Sequence, residues 1–207
     1  MPRVAYVNGR YVQHMSATVH IEDRGFQFAD GVYEVVSIRK QRLIDLEMHL
    51  DRLNRSLFEL HIPWPTSRCV FSVILKEVIQ RNRVANGSVY IQITRGVAAR
   101  DFSYAEGLKP SIIIYTRKTR QDTFETASVG HKVISKPDLR WKRCDIKTVS
   151  LLPAVMAKQA AVGAGAIEAW LINERGMVTE GTSSNAWIIT LNDELITRHI
   201  DNSILAG

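Results

Sequence analysis

The sequence predicts an α+β protein of two domains, and three observations carry that prediction. At 207 residues, 45% of them hydrophobic and 23% charged, the chain holds enough apolar material for one large core or two small ones. Its apolar pattern alternates like a strand in some stretches and repeats every three or four residues in others, with the two kinds partly segregated. A polar stretch over 117–127 predicts a linker, so residues 1–119 read as a small N-terminal α+β domain and 120–207 as the first part of a second, larger one.

Each element has its own signal. Val4 to Val12 reads as a hairpin, because Asn8-Gly9 suits a type I′ turn. Gly31 to Ile38 is β-branched and predicts a strand, turned by Lys40-Gln41-Arg42 into a second strand at Leu43–Asp45. Leu50, Leu53, Leu57 and Leu60 make Glu47–Leu60 an amphipathic helix, which Pro63 and Pro65 stop. Thr66 or Ser67 caps a second helix carried by Val70, Val73, Ile74, Glu77 and Val78. Strands follow at Ser88–Arg95 and Ser111–Thr116, separated by a loop from Gly96 to Pro110 whose length marks it as functional or mobile. Beyond the linker come a strand at Val129–Ser135, an alanine-rich helix at Pro153–Gly163, and strands at Ala166–Ile172, Ala186–Leu191 and Glu194–Thr197. Asn173–Gly176 and Asn192-Asp193 read as turns. No internal repeat or low-complexity tract interrupts this order.

Composition removes several function classes. Disorder does not fit the apolar content. No apolar run approaches the roughly 18 residues of a membrane span, and the N-terminus lacks a signal-peptide pattern. With only Cys69 and Cys144, neither a disulfide scaffold nor a structural zinc site is expected, and a reducing, cytoplasmic setting is. The net charge of +6 raises nucleic-acid binding. The basic residues are scattered and no RNA-binding signature interrupts them, so an anionic small ligand fits as well and no nucleic acid is expected.

Three clusters can carry chemistry. In Arg140-Trp141-Lys142-Arg143-Cys144-Asp145-Ile146-Lys147, neighbouring cations and partial burial would lower the pKa of Lys147 toward the neutral amine that Schiff-base chemistry needs. Spacing alone favours a basic surface loop. Thr179-Glu180-Gly181-Thr182-Ser183-Ser184-Asn185 joins one carboxylate to small hydroxyl residues that could converge on a ligand, although a polar turn between strands explains it more simply. His49 and Arg52 share a helix face, and on a structural account they flank the leucines. No phosphate-binding glycine loop and no Gly-x-Ser-x-Gly elbow is present.

In this order, the three clusters resemble those of the class IV, or fold type IV, pyridoxal-phosphate enzymes. Asp23-Arg24-Gly25-Phe26-Gln27-Phe28-Ala29-Asp30-Gly31-Val32-Tyr33-Glu34-Val35 is similar to the D-amino-acid aminotransferase branch of that family. The resemblance runs from about Tyr6 to Gly207. It implies a two-domain, D-amino-acid aminotransferase-like fold, with the large cofactor-binding domain incomplete at the C-terminus. It implies pyridoxal 5′-phosphate as cofactor, an amino acid and a 2-keto acid as substrates, and a homodimer.

Carried over by position, Lys147 would form the Schiff base and shuttle the proton, and Glu180 would keep the pyridine nitrogen protonated. Arg52 would hold the phosphate and Arg140 the phenolate oxygen. Ser183 and Leu205 would line the cofactor. Tyr33 and Arg100, the latter from the partner subunit, would trap the substrate carboxylate, with His49 close behind them. The implied activity is transamination, with a D-amino acid as donor. Aminodeoxychorismate lyase, a branched-chain aminotransferase and an inactive truncated relative remain as alternatives. Two features depart from the family pattern. Arg100-Asp101-Phe102 stands where the D-amino-acid enzymes carry Arg-x-His, which removes a hydrogen-bond donor and sets Asp101 against the positive potential. Family members also continue past Gly207 with an Ile-Thr segment that completes the phosphate cup.

Overall fold

The Asn8-Gly9 pair does what its chemistry suggests. Both residues have positive φ (46° and 93°), as a type I′ turn requires, and they join β1 (Val4–Val7) to β2 (Arg10–Gln13) in register. The computed structural model describes residues 3–118 and 129–207. The described residues fall into two units, 3–118 with 147–150, and 129–146 with 151–207. The predicted linker and the expected boundary at 119/120 lie almost wholly or wholly outside the described residues.

The first unit is an antiparallel sheet with helices against it. After the hairpin come a short α1 (Arg24–Phe28), β3 (Gly31–Arg39), β4 (Arg42–Leu43), α2 (Leu46–Glu59), α3 (Arg68–Asn82), β5 (Gly87–Thr94) and β6 (Ser111–Lys118). The strand order is β2-β1-β6-β5-β3-β4. Alternation sets the faces: Val32, Val36 and Ile38 of β3 are buried with Val89, Ile91, Ile93 and Ile114. Leu50, Leu53 and Leu57 of α2 complete that core, as the heptad-like spacing predicts.

One expectation needs correction here. Ser67, whose Oγ accepts from Val70 N, caps α3. The helix buries Phe71, Ile74, Leu75, Val78 and Ile79, while Val70 and Val73 are exposed. The buried stripe is wider and lies further round the helix than the predicted one, because Phe71 and Leu75 fill it. Asp23 opens α1, since its carboxylate accepts from Gly25 N and starts a helical turn.

In the second unit, β7 (Val133–Pro137) and β8 (Glu168–Ile172) are parallel and α4 (Leu152–Gly163) connects them. Ala157, Ala161, Ala166, Ala169 and Leu171 pack into a small core. Small side chains let the helix lie close to the strands. β9 (Val178–Gly181) returns antiparallel to β8 through the Asn173–Gly176 turn, where Asn173 Oδ1 accepts from two backbone amides. β10 (Trp187–Ile189) and β11 (Leu195–Thr197) form a separate two-stranded sheet. No described helix is long and apolar enough to cross a membrane.

Candidate functional site

Residues 147–149 rejoin the first unit by running antiparallel to the start of β3. Tyr33 N donates to Lys147 O at 3.0 Å, Val149 N donates to Gly31 O at 3.1 Å, and Thr148 bridges to Val32. Lys147 N in turn donates to the Oγ of Ser56, a fully buried residue of α2. The backbone of Lys147 is therefore fixed from two sides. Its Nζ lies 4.4 Å from the centre of the Tyr33 ring. Tyr33 continues a row of rings along that face of the sheet, stacked on Tyr90 and through it on Tyr115.

The next residue of β3 points to the other face. Glu34 has no solvent exposure and occupies a core position among valines and isoleucines. An unpaired charge there would be costly. Arg52 answers it with a two-pronged pair, Nε to Oε1 at 2.7 Å and Nη2 to Oε2 at 2.9 Å. His49, one helical turn earlier, places Nδ1 2.8 Å from Oε2. Burial alone would push the Glu34 carboxyl up, but hydrogen bonds from Arg52 and His49 outweigh it and hold it below its usual range. The bond to Glu34 in turn raises Arg52.

A second group lies in the second unit. Arg140 donates Nε and Nη2 to the two oxygens of Asp138, at 2.9 and 2.7 Å, and pairs through Nη1 with Glu180. The other Glu180 oxygen accepts from Asn185 Nδ2 and from the backbone N of Leu205. Burial pushes the Glu180 carboxyl up, against the pull of Arg140. Leu205 contributes its backbone here, since its carbonyl also accepts from Asn185. The Ser183 hydroxyl turns to Glu168, whose carboxylate also gathers Thr182 and Ser184.

The predicted residues thus form two groups, Tyr33, His49, Arg52 and Lys147 in the first unit and Arg140, Glu180, Ser183 and Leu205 in the second. Arg100 stands outside both. It is exposed, with its guanidinium 5.3 Å from the Phe28 ring, whereas Tyr33 sits in the tyrosine row. Arg140 is engaged by Asp138 and Glu180 and Arg143 by Asp145, while in the first unit Lys147 helps to hold Glu34 as the anion. Asp101 accepts from Ser103 N within its own loop and is stabilised there as the anion.

As a donor set these groups suit pyridoxal phosphate. There is a primary amine on a rigid backbone, a buried carboxylate for a ring nitrogen, and a guanidinium for a phosphate. The Amino-transferase class IV family matches residues 31–207. The chain belongs to that family. As a class IV aminotransferase it is a pyridoxal-phosphate-dependent enzyme. It is 42% identical over 200 residues to a D-alanine aminotransferase of Bacillus licheniformis, covering 97% of this chain and 70% of that one. A D-alanine aminotransferase of Staphylococcus epidermidis is 38% identical over 205 residues, covering 98% and 71%. Among solved structures, a branched-chain amino acid aminotransferase of T.th., determined with pyridoxamine 5′-phosphate, matches with a TM-score of 0.90 at 20% identity. That match covers 100% of this chain and 70% of that one. The Escherichia coli branched-chain enzyme gives 0.88 at 18% identity, covering 100% and 71%. These two show the fold.

In this class IV aminotransferase, sequence reasoning missed Glu34, Asp138 and Glu168. A glutamate inside a β-branched run reads as solvent-facing. The signal for Glu34 was the His49–Arg52 pair on a helix destined to cover that strand. Asp138 stands two residues before Arg140 and was legible as its partner. Glu168 opens a strand with nothing beside it to mark it. No group of three His, Cys, Asp or Glu among the described residues is placed to hold a metal ion.

Proposed function

We propose that this aminotransferase moves an amino group between a D-amino acid and a 2-keto acid, with Lys147 as its reactive amine. The observation that carries the reading is the double anchoring of Lys147, by β3 on one side and Ser56 on the other, with its Nζ at the Tyr33 ring. The likeness to D-alanine aminotransferases supports the D-amino acid as donor.

When bound, the cofactor supplies an electron-withdrawing ring conjugated to the substrate nitrogen. Lys147 Nζ takes the substrate Cα proton and keeps it for the return transfer. A fixed backbone spares the cost of ordering the main chain that carries the amine at each turnover. Glu180 is the anionic partner of the cofactor's ring nitrogen, with Asn185 and Leu205 N orienting its carboxylate. Arg52 presents positive charge to the phosphate, and Glu34 and His49 hold its guanidinium. Arg140 acts at the phenolate oxygen, and Ser183 and Leu205 line the cofactor. Tyr33 and Arg100 bind the substrate carboxylate, with His49 behind them and Arg100 reaching the site of the partner subunit in a homodimer. Both cysteines are free thiols, which suits the cytoplasm.

Incubation with pyridoxal phosphate followed by borohydride should fix one cofactor covalently on the peptide containing Lys147, and Lys147→Ala should abolish both capture and turnover. Capture that persists at another lysine in Lys147→Ala would remove Lys147 from the role.

A further inference from the structure

The Asp23-Arg24-Gly25 motif marks the family likeness but has no part in the chemistry above. Its place in the fold gives it one. The two Asp23 oxygens accept from Gly25 N at 2.9 Å and from Thr94 Oγ1 at 3.0 Å, which seats α1 against the end of β5. A Cβ on Gly25 would overlap the Thr94 side chain, so glycine is required for this approach. The seated turn carries Arg24, only 3% exposed.

Arg24 spends its fork on the long loop. Nη1 donates to the carbonyls of Asp101 (2.7 Å) and Ser103 (3.2 Å), and Nη2 to that of Phe102 (3.4 Å). Nε donates to Asp30, which also receives two bonds from Arg95. The Arg95 guanidinium lies 3.7 Å from the Tyr104 ring centre, with Arg24 at 5.4 Å. At the loop's entry, Arg24 N donates to Gly96 O. Loop carbonyls ordinarily turn to water, and three in succession on one buried guanidinium hold a surface segment in one conformation. The bonds are charge-assisted, and the planar fork is one that lysine does not reproduce.

We propose that Arg24 is a specificity-determining positioning residue. It clamps the backbone at 101–103 and so sets where Arg100, the residue immediately before, presents its guanidinium to a substrate carboxylate. This rests on the reading of Arg100 as the carboxylate trap. Without the clamp, the loop must be ordered at each binding event, and that cost falls on substrate affinity.

The test uses the full-length, cofactor-loaded enzyme with Arg24→Lys, Tyr104→Ala and Arg100→Ala. Tyr104 is 45% exposed, so its truncation leaves the fold intact while removing the ring from both guanidiniums. Chymotryptic cleavage after Phe102, identified by fragment mass, should quicken about tenfold in Arg24→Lys and to a lesser degree in Tyr104→Ala. KM for the amino donor and Ki for propionate should rise together, about five- to tenfold, with kcat within about twofold of wild type. A merely structural role would lower the melting temperature and leave the propionate Ki unchanged, which overturns the proposal. Unchanged cleavage in both variants overturns it as well. If Arg100→Ala leaves KM and Ki unchanged, the trap reading has failed. If Arg100→Ala weakens both and Arg24→Lys does not, the clamp's role in specificity has failed.

Discussion

Glu34 sits where a strand buries its valines, and its charge survives there because Arg52 and His49 were brought to it by one face of α2. Removing one partner of a buried, charge-assisted pair costs more than the pair contributes, because the other charge is left in a low-dielectric site. Glutamine keeps the shape and an acceptor but not the charge, so Glu34→Gln should lower unfolding stability by about 2 kcal/mol in urea titrations near neutral pH. The pH dependence has a definite sign. The folded pKa lies below the ordinary 4.5, so the carboxylate's contribution is fully present above that value and is lost as pH falls through the folded pKa. The gap between wild type and Glu34→Gln should therefore shrink as pH falls below the mid-fours. A gap that widened in acid would show that the carboxyl is protonated in the native state. Glu180 shifts the other way, raised by burial, with the nearby Asp138 charge adding to the rise against the pull of Arg140.

At the level of elements, legibility followed periodicity and faded where tertiary contacts decide. The Asn8-Gly9 hairpin, the leucine face of α2 and the Asn173–Gly176 turn were readable because each signal is local. β9 was not, since Val178 to Gly181 has too few apolar residues to alternate and is a strand only because β8 pairs with it. The same distinction applies to the site. Lys147, Arg140 and Glu180 stood out as residue types in unusual company, whereas Glu168 is meaningful only through the three hydroxyl side chains that its strand brings together. The choice between Thr66 and Ser67 as cap of α3 could not be made from residue type alone, because either hydroxyl serves. With Ser67 in the capping position, Ser67→Ala should cost about 1 kcal/mol of stability and Thr66→Ala close to nothing. Thermal denaturation of the two variants side by side checks this, and equal shifts would deny Ser67 its role.

For the whole molecule, the exposed position of Arg100 becomes an argument about symmetry. Within one chain its guanidinium rests over Phe28, while Tyr33 and Lys147 share other surroundings. In the proposed homodimer a two-fold axis would bring each protomer's Arg100 to the other's Tyr33, so each site would draw its amine and the arginine of its carboxylate trap from different chains. Such sharing predicts complementation between two defective parents. Lys147→Ala subunits lack the amine but keep Arg100, and Arg100→Ala subunits lack the trap but keep the amine. In a hybrid dimer one site inherits both defects and the other inherits neither. Random reassortment of equal amounts makes half the dimers hybrids, so about a quarter of wild-type turnover should return. It should carry the wild-type KM for the amino donor, well below that of the Arg100→Ala parent. Mixing after gentle dissociation, with subunit exchange followed by native mass spectrometry, provides the measurement. If hybrids form and turnover only averages the two parents, Arg100 serves the site of its own chain or none, and the two-chain site is wrong.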